Sequence, residues 1–260
     1  MTLFRLALAY ARRRPLSTLL VVVLLAIGVA TVTLTLLLAH ELEDRLARDA
    51  AGIDLVVGAK GSPLQLVLAG VYHVDVPPGN IPLAAIAALR ANPLIAQAIP
   101  LALGDSFRGF RIVGTEPALV EHYGGTLREG ELWRKPLEAV LGSTVAAASG
   151  LSVGATFTGS HGLAEGGGEH ANAPYRVTGI LAPTGTVLDR LVLTSIASVW
   201  AVHEAHHADH DRDAHGNEAK GDAPTDEHAE FDPGREVTLA LVRYSSPLAA
   251  ASLPRAINKE

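Results

Sequence analysis

The chain has 260 residues, a formal net charge of −6 and 48% hydrophobic residues. It contains no cysteine, which excludes disulfide frameworks, thiol catalysis, iron–sulfur clusters and cysteine-based zinc sites. A chain of this length can form a hydrophobic core without support from a metal or a disulfide. The first 39 residues carry four arginines and no acidic residue, whereas all 27 Asp and Glu residues follow them; an acidic body of this kind argues against a nucleic-acid partner.

The first predicted element is an apolar helix at residues 16–39. This segment contains no charge, and its 24 residues form a helix of about 36 Å, enough to cross a hydrocarbon core of about 30 Å. Three arginines at 12–14 precede it, and the positive-inside rule places them in the cytoplasm. We therefore predict a basic cytoplasmic tail at 1–15, a transmembrane helix at 16–39 surrounded by lipid, and a body at 40–260 on the outer side of the membrane. The alternative is a cleaved signal peptide. The length of the apolar run and the poor cleavage site after it argue against this alternative.

The body combines short apolar runs, which are typical of strands, with segments of helical spacing. Ser62 followed by proline is typical of a helix N-terminus, and Asn92 followed by proline indicates a turn. Because the strands and helices do not alternate with regular β-α-β spacing, we predict an α+β fold. The predicted strands are 53–58, 98–103, 107–113, 139–141, 155–159, 175–181, 190–193 and 237–243, and the predicted helices are 63–72, 82–91, 117–123, 143–149, 195–208 and 247–257.

Three segments interrupt this pattern. Residues 160–173 are rich in Gly, Ala and acidic residues, which predicts a hairpin excursion. Residues 209–235 contain one bulky apolar residue, Phe231, and are predicted to form a solvated loop. Residues 72–80, with the sequence YHVDVPPGN, lead into a Pro-Pro turn, which favours a rigid loop; contact with a substrate or a partner protein is the alternative.

The metal-ligating candidates are His203, His206, His207 and His210, in the sequence HEAHHADHD. If the preceding helix continues, their spacing places all four imidazoles on one face, and pairs four residues apart can chelate one zinc ion. Copper and nickel suit neutral imidazole equally well. We predict a metal site in a histidine-rich loop at 203–230; the alternative is a solvated spacer in which the histidines bind nothing.

No enzymatic site is predicted. The segment VVGAKGS at 56–62 lacks the spacing of a phosphate-binding loop. No serine stands in a recognisable relation to a histidine and a carboxylate, and the sequence has no G-x-S-x-G motif. We therefore predict that the chain is not an enzyme and holds no cofactor other than the proposed zinc.

Three longer segments carry a family resemblance: RIVGTEPALVEHYGGTLREGELW, LGSTVAAASGLSVGATFT and YRVTGILAPTGTVLDRLVLTS. In the second, we expect a helix under a Ser143 cap, a left-handed end at Gly150 and a tight turn at Gly154. Together with the basic N-terminus and the single apolar helix, these segments resemble the MacB/FtsX-like permeases of ABC transporters. The resemblance implies that residues 40–260 form a MacB-like periplasmic core domain and that the helix at 16–39 lies in the bacterial inner membrane. It also implies three further membrane helices that this sequence lacks, so we expect the chain to be an N-terminal portion of a permease.

The leading hypothesis is a permease subunit. The resemblance implies a permease homodimer with separate ATP-binding subunits, in which ATP hydrolysis moves the periplasmic domain and the domain contacts a substrate or a periplasmic partner protein. The alternative is a membrane-tethered module that binds or delivers zinc through the histidine-rich loop. A single-pass signalling protein is disfavoured, because residues 1–15 leave no room for a cytoplasmic effector domain.

Overall fold

The computed structural model describes residues 3–161, 173–202 and 235–258. The chain divides into two compact units, Met1–Ala47 and Arg48–Glu260. Helices of the described chain are α1 (Leu3–Arg13), α2 (Pro15–Asp49), α3 (Pro63–Gly70), α4 (Leu83–Ala91), α5 (Ala118–His122), α6 (Ser143–Ser149), α7 (described at 196–202) and α8 (Leu253–Ile257), and 3₁₀ turns lie at Val187–Arg190 and Pro247–Ala251.

The first unit contains α1 and most of α2. Helix α2 is longer than the predicted 16–39 segment, because the charged residues after it also suit a helix: Arg45 pairs with Glu41 one turn earlier, at 2.7 Å. It is the one helix of the described chain that is long and apolar enough to cross a membrane. Thr31 and Thr35 donate to carbonyls four residues back, which satisfies their hydroxyls in an apolar setting. Helix α1 was not predicted.

The second unit, which we call the body, is built on a mixed sheet. The strands are β1 (Leu55–Gly58), β2 (Ile81–Pro82), β3 (Ile95–Phe107), β4 (Phe110–Thr115), β5 (Leu127–Gly130), β6 (Glu138–Leu141), β7 (Thr156–Phe157), β8 (Ser160–His161), β9 (Tyr175–Leu181), β10 (Val192–Ser195), β11 (Glu236–Val237) and β12 (Leu239–Tyr244). The main sheet has the order β1-β12-β3-β4-β10-β6-β9-β5, with β7 on β9 and β8 on β3, while β2 and β11 pair separately. The pairs β4–β10 and β6–β9 are parallel and the others antiparallel. This arrangement confirms the predicted α+β class.

The core lies on both faces of this sheet. Neighbouring strand residues point to opposite faces, and they enter different clusters: Val113 and Val140 belong to one, Ile112 and Leu141 to the other. The first cluster also contains the 3₁₀ turn Val187–Arg190 through its two apolar residues. Helix α6 packs on the second cluster, and α4 belongs to a third cluster near β12.

Several local predictions were wrong. The strand predicted at 107–113 is a hairpin, because Arg108 and Gly109 adopt positive φ and turn the chain between β3 and β4. Ser143 is the first residue of α6 and not its N-cap. The N-cap is Gly142, so no side chain caps this helix. Residues 247–257 form a 3₁₀ turn and a short helix instead of one helix, and β5 was not predicted.

Other local predictions are confirmed. Ser62 caps α3 by accepting a hydrogen bond from the Gln65 N–H at 3.4 Å. Gly150 ends α6 in the left-handed conformation, with φ of 71°, and Gly154 turns the chain with φ of 91°. The hairpin excursion and the acidic loop fall mostly outside the described residues.

Candidate functional site

The predicted metal ligands His203, His206, His207 and His210 lie outside the described residues. The described part of α7, at 196–202, ends immediately before them. Within residues 3–161, 173–202 and 235–258, no group of three or more His, Asp or Glu side chains could hold a metal ion. The zinc site therefore stays a prediction.

The strongest polar arrangement of the body surrounds the last residue of α2, Asp49. Its side chain is only 6% exposed, and one oxygen, Oδ2, lies 3.0 Å from Nη2 of Arg190, whose side chain is about half exposed. The backbone N–H of Val187 also donates to this carboxylate. Burial raises the pKa of Asp49, and the charge and hydrogen bonds of Arg190 and Val187 only partly offset that effect.

A second contact holds the backbone at the same place. The hydroxyl of Tyr123, at the end of α5, donates to the carbonyl oxygen of Asp49 at 2.7 Å. Burial, followed by the nearby Asp49 charge, raises the pKa of Tyr123, so its proton stays in place for this bond. His122 bonds the carbonyl of Ala51 through Nε2 at 3.0 Å. The end of α2 is thus fixed through both its side chain and its backbone; we call this contact the helix clamp (Asp49, Tyr123 and Arg190).

The loop that carries Arg190 is itself held by a local hydrogen-bond network. The carboxylate of Asp189 accepts bonds from the backbone N–H groups of Thr184 and Gly185, at 2.9 and 2.8 Å, and from the Thr184 hydroxyl at 3.0 Å. Such a closed turn restricts the backbone just before Arg190. Arg48 adds a long contact from Nε to the Gly185 carbonyl, at 3.4 Å.

Residues 72–80 lie outside the helices and apart from the strands, and two side chains from other elements bond the backbone of this loop. Arg111, which is 4% exposed, donates from Nη2 to the carbonyl of Asp75 at 2.8 Å. Gln65 donates from Nε2 to the carbonyl of Val76 at 2.7 Å. The side chains of Val74 and Val76 point outward, 64% and 58% exposed. The loop therefore presents two apolar side chains on a firmly held backbone.

His73 is the buried residue of this loop. It has a positive φ of 56° and is 8% exposed. Burial, with the charges of Arg111 and Arg190, lowers the pKa of His73 to about 3. Its Nδ1, like Nε of Arg111, has no hydrogen-bond partner among the described residues. The imidazole is therefore neutral at ordinary pH and sits near two cations.

The helix clamp is not predictable from the sequence. Arg190 lies in the segment APTGTVLDR, which was noted only for the family resemblance, and Asp49 lies in the acidic run after the apolar helix. The chain separates them by 141 residues, and no periodic pattern connects them. Asp49 differs from the rest of this exposed helix in being buried, and burial cannot be inferred from one sequence.

Among the described residues, one helix is long and apolar enough to cross a membrane, and its last residue, Asp49, is held within a mixed α/β body. Residues 18–244 match the family described as MacB-like periplasmic core domain, and the chain belongs to this family. This confirms the predicted membership among MacB/FtsX-like permeases. No curated protein matches the chain at a significant level.

The solved structures similar to this chain include three domains of transporter or permease proteins. The periplasmic region of MacB from Actinobacillus actinomycetemcomitans is 12% identical, with 82% of this chain and 86% of that chain covered and a TM-score of 0.45. The extracellular domain of the noncanonic ABC-type transporter YknZ from Gram-positive bacteria is 9% identical, with 79% and 94% covered and a TM-score of 0.44. A domain of a putative permease protein from Porphyromonas gingivalis is 14% identical, with 72% and 77% covered and a TM-score of 0.39.

Proposed function

We propose that this chain acts as a permease subunit of an ABC transporter in the bacterial inner membrane, with ATP hydrolysis supplied by a separate ATP-binding subunit. The family match over residues 18–244 carries the proposal. In this proposal, α2 crosses the membrane, and its last residue, Asp49, belongs to the same compact unit as Tyr123 and Arg190 of the helix clamp.

Association with an ATPase is the direct test. The full chain, tagged and extracted from native membranes in a mild detergent, is expected to co-purify with a subunit that hydrolyses ATP and is inhibited by vanadate. The mass of the complex is expected to correspond to two permease chains and two ATP-binding subunits. A tagged single-span protein of unrelated sequence is the control. Purification without any ATP-hydrolysing subunit would contradict the proposal.

The orientation belongs to the same proposal and is tested separately. Because the chain has no cysteine, single-cysteine variants give an unambiguous labelling signal. Ala147→Cys, on an exposed face of α6, and Ala9→Cys, in α1, are both exposed positions. In intact spheroplasts, a membrane-impermeant maleimide is expected to label the first and not the second. Labelling of Ala9→Cys alone would place the body in the cytoplasm and refute the orientation.

The second candidate function is extracytoplasmic zinc binding through His203, His206, His207 and His210. The described helical residues 196–202 end directly before them, and on a helix the i, i+4 spacing places two imidazoles on one face. Zinc titrated into the purified full chain is expected to bind with micromolar or tighter affinity, and alanine at all four positions is expected to abolish binding. His40→Ala, at an exposed histidine outside this run, is the matched control. Equal binding by the quadruple variant would refute the site.

A further inference from the structure

Helix α1 (Leu3–Arg13) combines a basic side with an apolar side. On a helix that turns about 100° per residue, Arg5, Arg12 and Arg13 fall within one arc of about 100°, with Ala9 between them. These three arginines and Ala9 are exposed. Every other residue of α1 is apolar or aromatic, so the rest of the circumference forms an apolar arc. The pattern is typical of a helix that lies at the surface of a membrane.

A bend at Arg14 separates α1 from α2. Pro15 has no N–H, so the carbonyl of Ala11 lacks its usual helical donor. The hydroxyl of Thr18 lies 3.4 Å from that carbonyl and 3.0 Å from the carbonyl of Arg14, and thus satisfies the backbone at the break. Because α2 is the one helix of the described chain that is long and apolar enough to cross a membrane, α1 ends one residue before the candidate span and therefore at its entrance.

The charges at this entrance complement the phosphate groups of anionic lipids. The first 39 residues hold four arginines and no acidic residue that would neutralise them locally, and each arginine near an anionic surface strengthens binding about fivefold. Tyr10 is 63% exposed, with the guanidinium of Arg14 5.9 Å from the centre of its ring. Tyrosine and arginine side chains are both suited to the headgroup level, where an apolar part and a polar end meet different surroundings.

We propose that α1 lies in the plane of the membrane surface, with its apolar arc among the acyl chains and Arg5, Arg12 and Arg13 on the phosphates of anionic lipids. The inference rests on the proposed function in one respect, which is that α2 crosses the membrane. Bound in this way, α1 fixes the depth at which α2 enters the bilayer and makes that anchoring depend on the lipid composition.

The test is the accessibility of nitroxide labels on the full chain, reconstituted in nanodiscs without any ATPase. Because the chain has no cysteine, Ala9→Cys and Ala11→Cys each give one labelled site, and the two sites lie about 160° apart on the helix. In discs of phosphatidylcholine with phosphatidylglycerol, the label at 11 is expected to collide mainly with oxygen and the label at 9 with a water-soluble nickel chelate. In discs of phosphatidylcholine alone, this contrast is expected to weaken.

Substitution of the basic side tests the role of the charge. With Arg5→Gln and Arg12→Gln together, the ratio of surface-bound to free α1 in anionic discs is expected to fall about 25-fold, at about fivefold for each arginine. The label at Ala11→Cys is then expected to become accessible to the chelate. The matched control carries Arg128→Gln and Arg134→Gln, which remove two exposed arginines of the body and are expected to leave the contrast unchanged.

A third label, at Ala26→Cys in α2, separates the two levels of failure. It is expected to be accessible to oxygen and shielded from the chelate. Exposure of this label to the chelate would refute the membrane span, and with it both the proposed function and this inference. A shielded label at 26 with equal chelate accessibility at 9 and 11 would overturn this inference alone and would assign the apolar arc to a protein partner. A full contrast in the absence of anionic lipid, or in the double arginine variant, would overturn the role of the phosphates.

Discussion

Replacing His73 is expected to remove a large part of the acid sensitivity of this fold. The folded protein keeps the His73 pKa near 3, against an ordinary value of 6.5. Below about pH 6.5 the unfolded chain binds a proton at this residue that the folded chain does not, so stability falls as the pH drops from about 6.5 towards 3. Integrated over this difference, the free energy of unfolding decreases by about 2 kcal/mol between about pH 7.5 and pH 5.

The variant His73→Asn isolates this contribution. Asparagine does not titrate and tolerates a positive φ better than most residues, so it suits the φ of 56° at this position. Over the same pH interval, we expect the free energy of unfolding to fall by about 2 kcal/mol less in His73→Asn than in the wild type. Urea denaturation of the full chain in detergent measures this difference. Burial lowers the pKa of His122 as well, but that contribution is common to both proteins and cancels in the comparison.

An equal loss of stability on acidification in the wild type and in His73→Asn would contradict the role assigned to His73.

Four further substitutions test the local geometry by urea denaturation. The added Cβ of Gly142→Ala would overlap the backbone carbonyl of Leu188, so this variant is expected to lose well over 1 kcal/mol of stability. Gly150→Ala meets no neighbour and is expected to lose about 1 kcal/mol because of its positive φ. Equal losses in the two variants would contradict this comparison. Ser198→Ala removes a fully buried hydroxyl that accepts the Leu137 N–H at 2.9 Å, so a loss of about 1–3 kcal/mol is expected, and no loss would show that this bond is dispensable. Ser62→Ala removes the cap of α3, and because that bond is long, a loss of about 0.5–1 kcal/mol is expected; a loss above that range would point to another role.

The family and the fold class were predictable because their signals are local. The uncharged run at 16–39 indicates a membrane helix through composition alone, and the glycines at 150 and 154 mark turns through their conformational freedom. Most strands of the body are short apolar runs between turn residues. Strand β5 was missed because its four residues, Leu127–Gly130, are all exposed and carry no apolar alternation.

The candidate site was not predictable in the same way. A charged residue such as Arg190 reads as an ordinary surface residue until its neighbours are known. The sequence around His73 does not indicate that two arginines from distant segments, Arg111 and Arg190, act on it. Contacts across 141 residues of chain arise from the strand order of the sheet, which local spacing does not encode.

The sequence by itself therefore determined the apolar helix, the acidic α+β body, the turns and the family, since each depends on composition or on residues a few positions apart. The tertiary structure alone decided that Asp49 is buried against Arg190, that Tyr123 holds the backbone at the end of α2, and that His73 stays neutral. The physical reason is desolvation: a charge changes its behaviour only when folding removes it from water and places it next to particular partners.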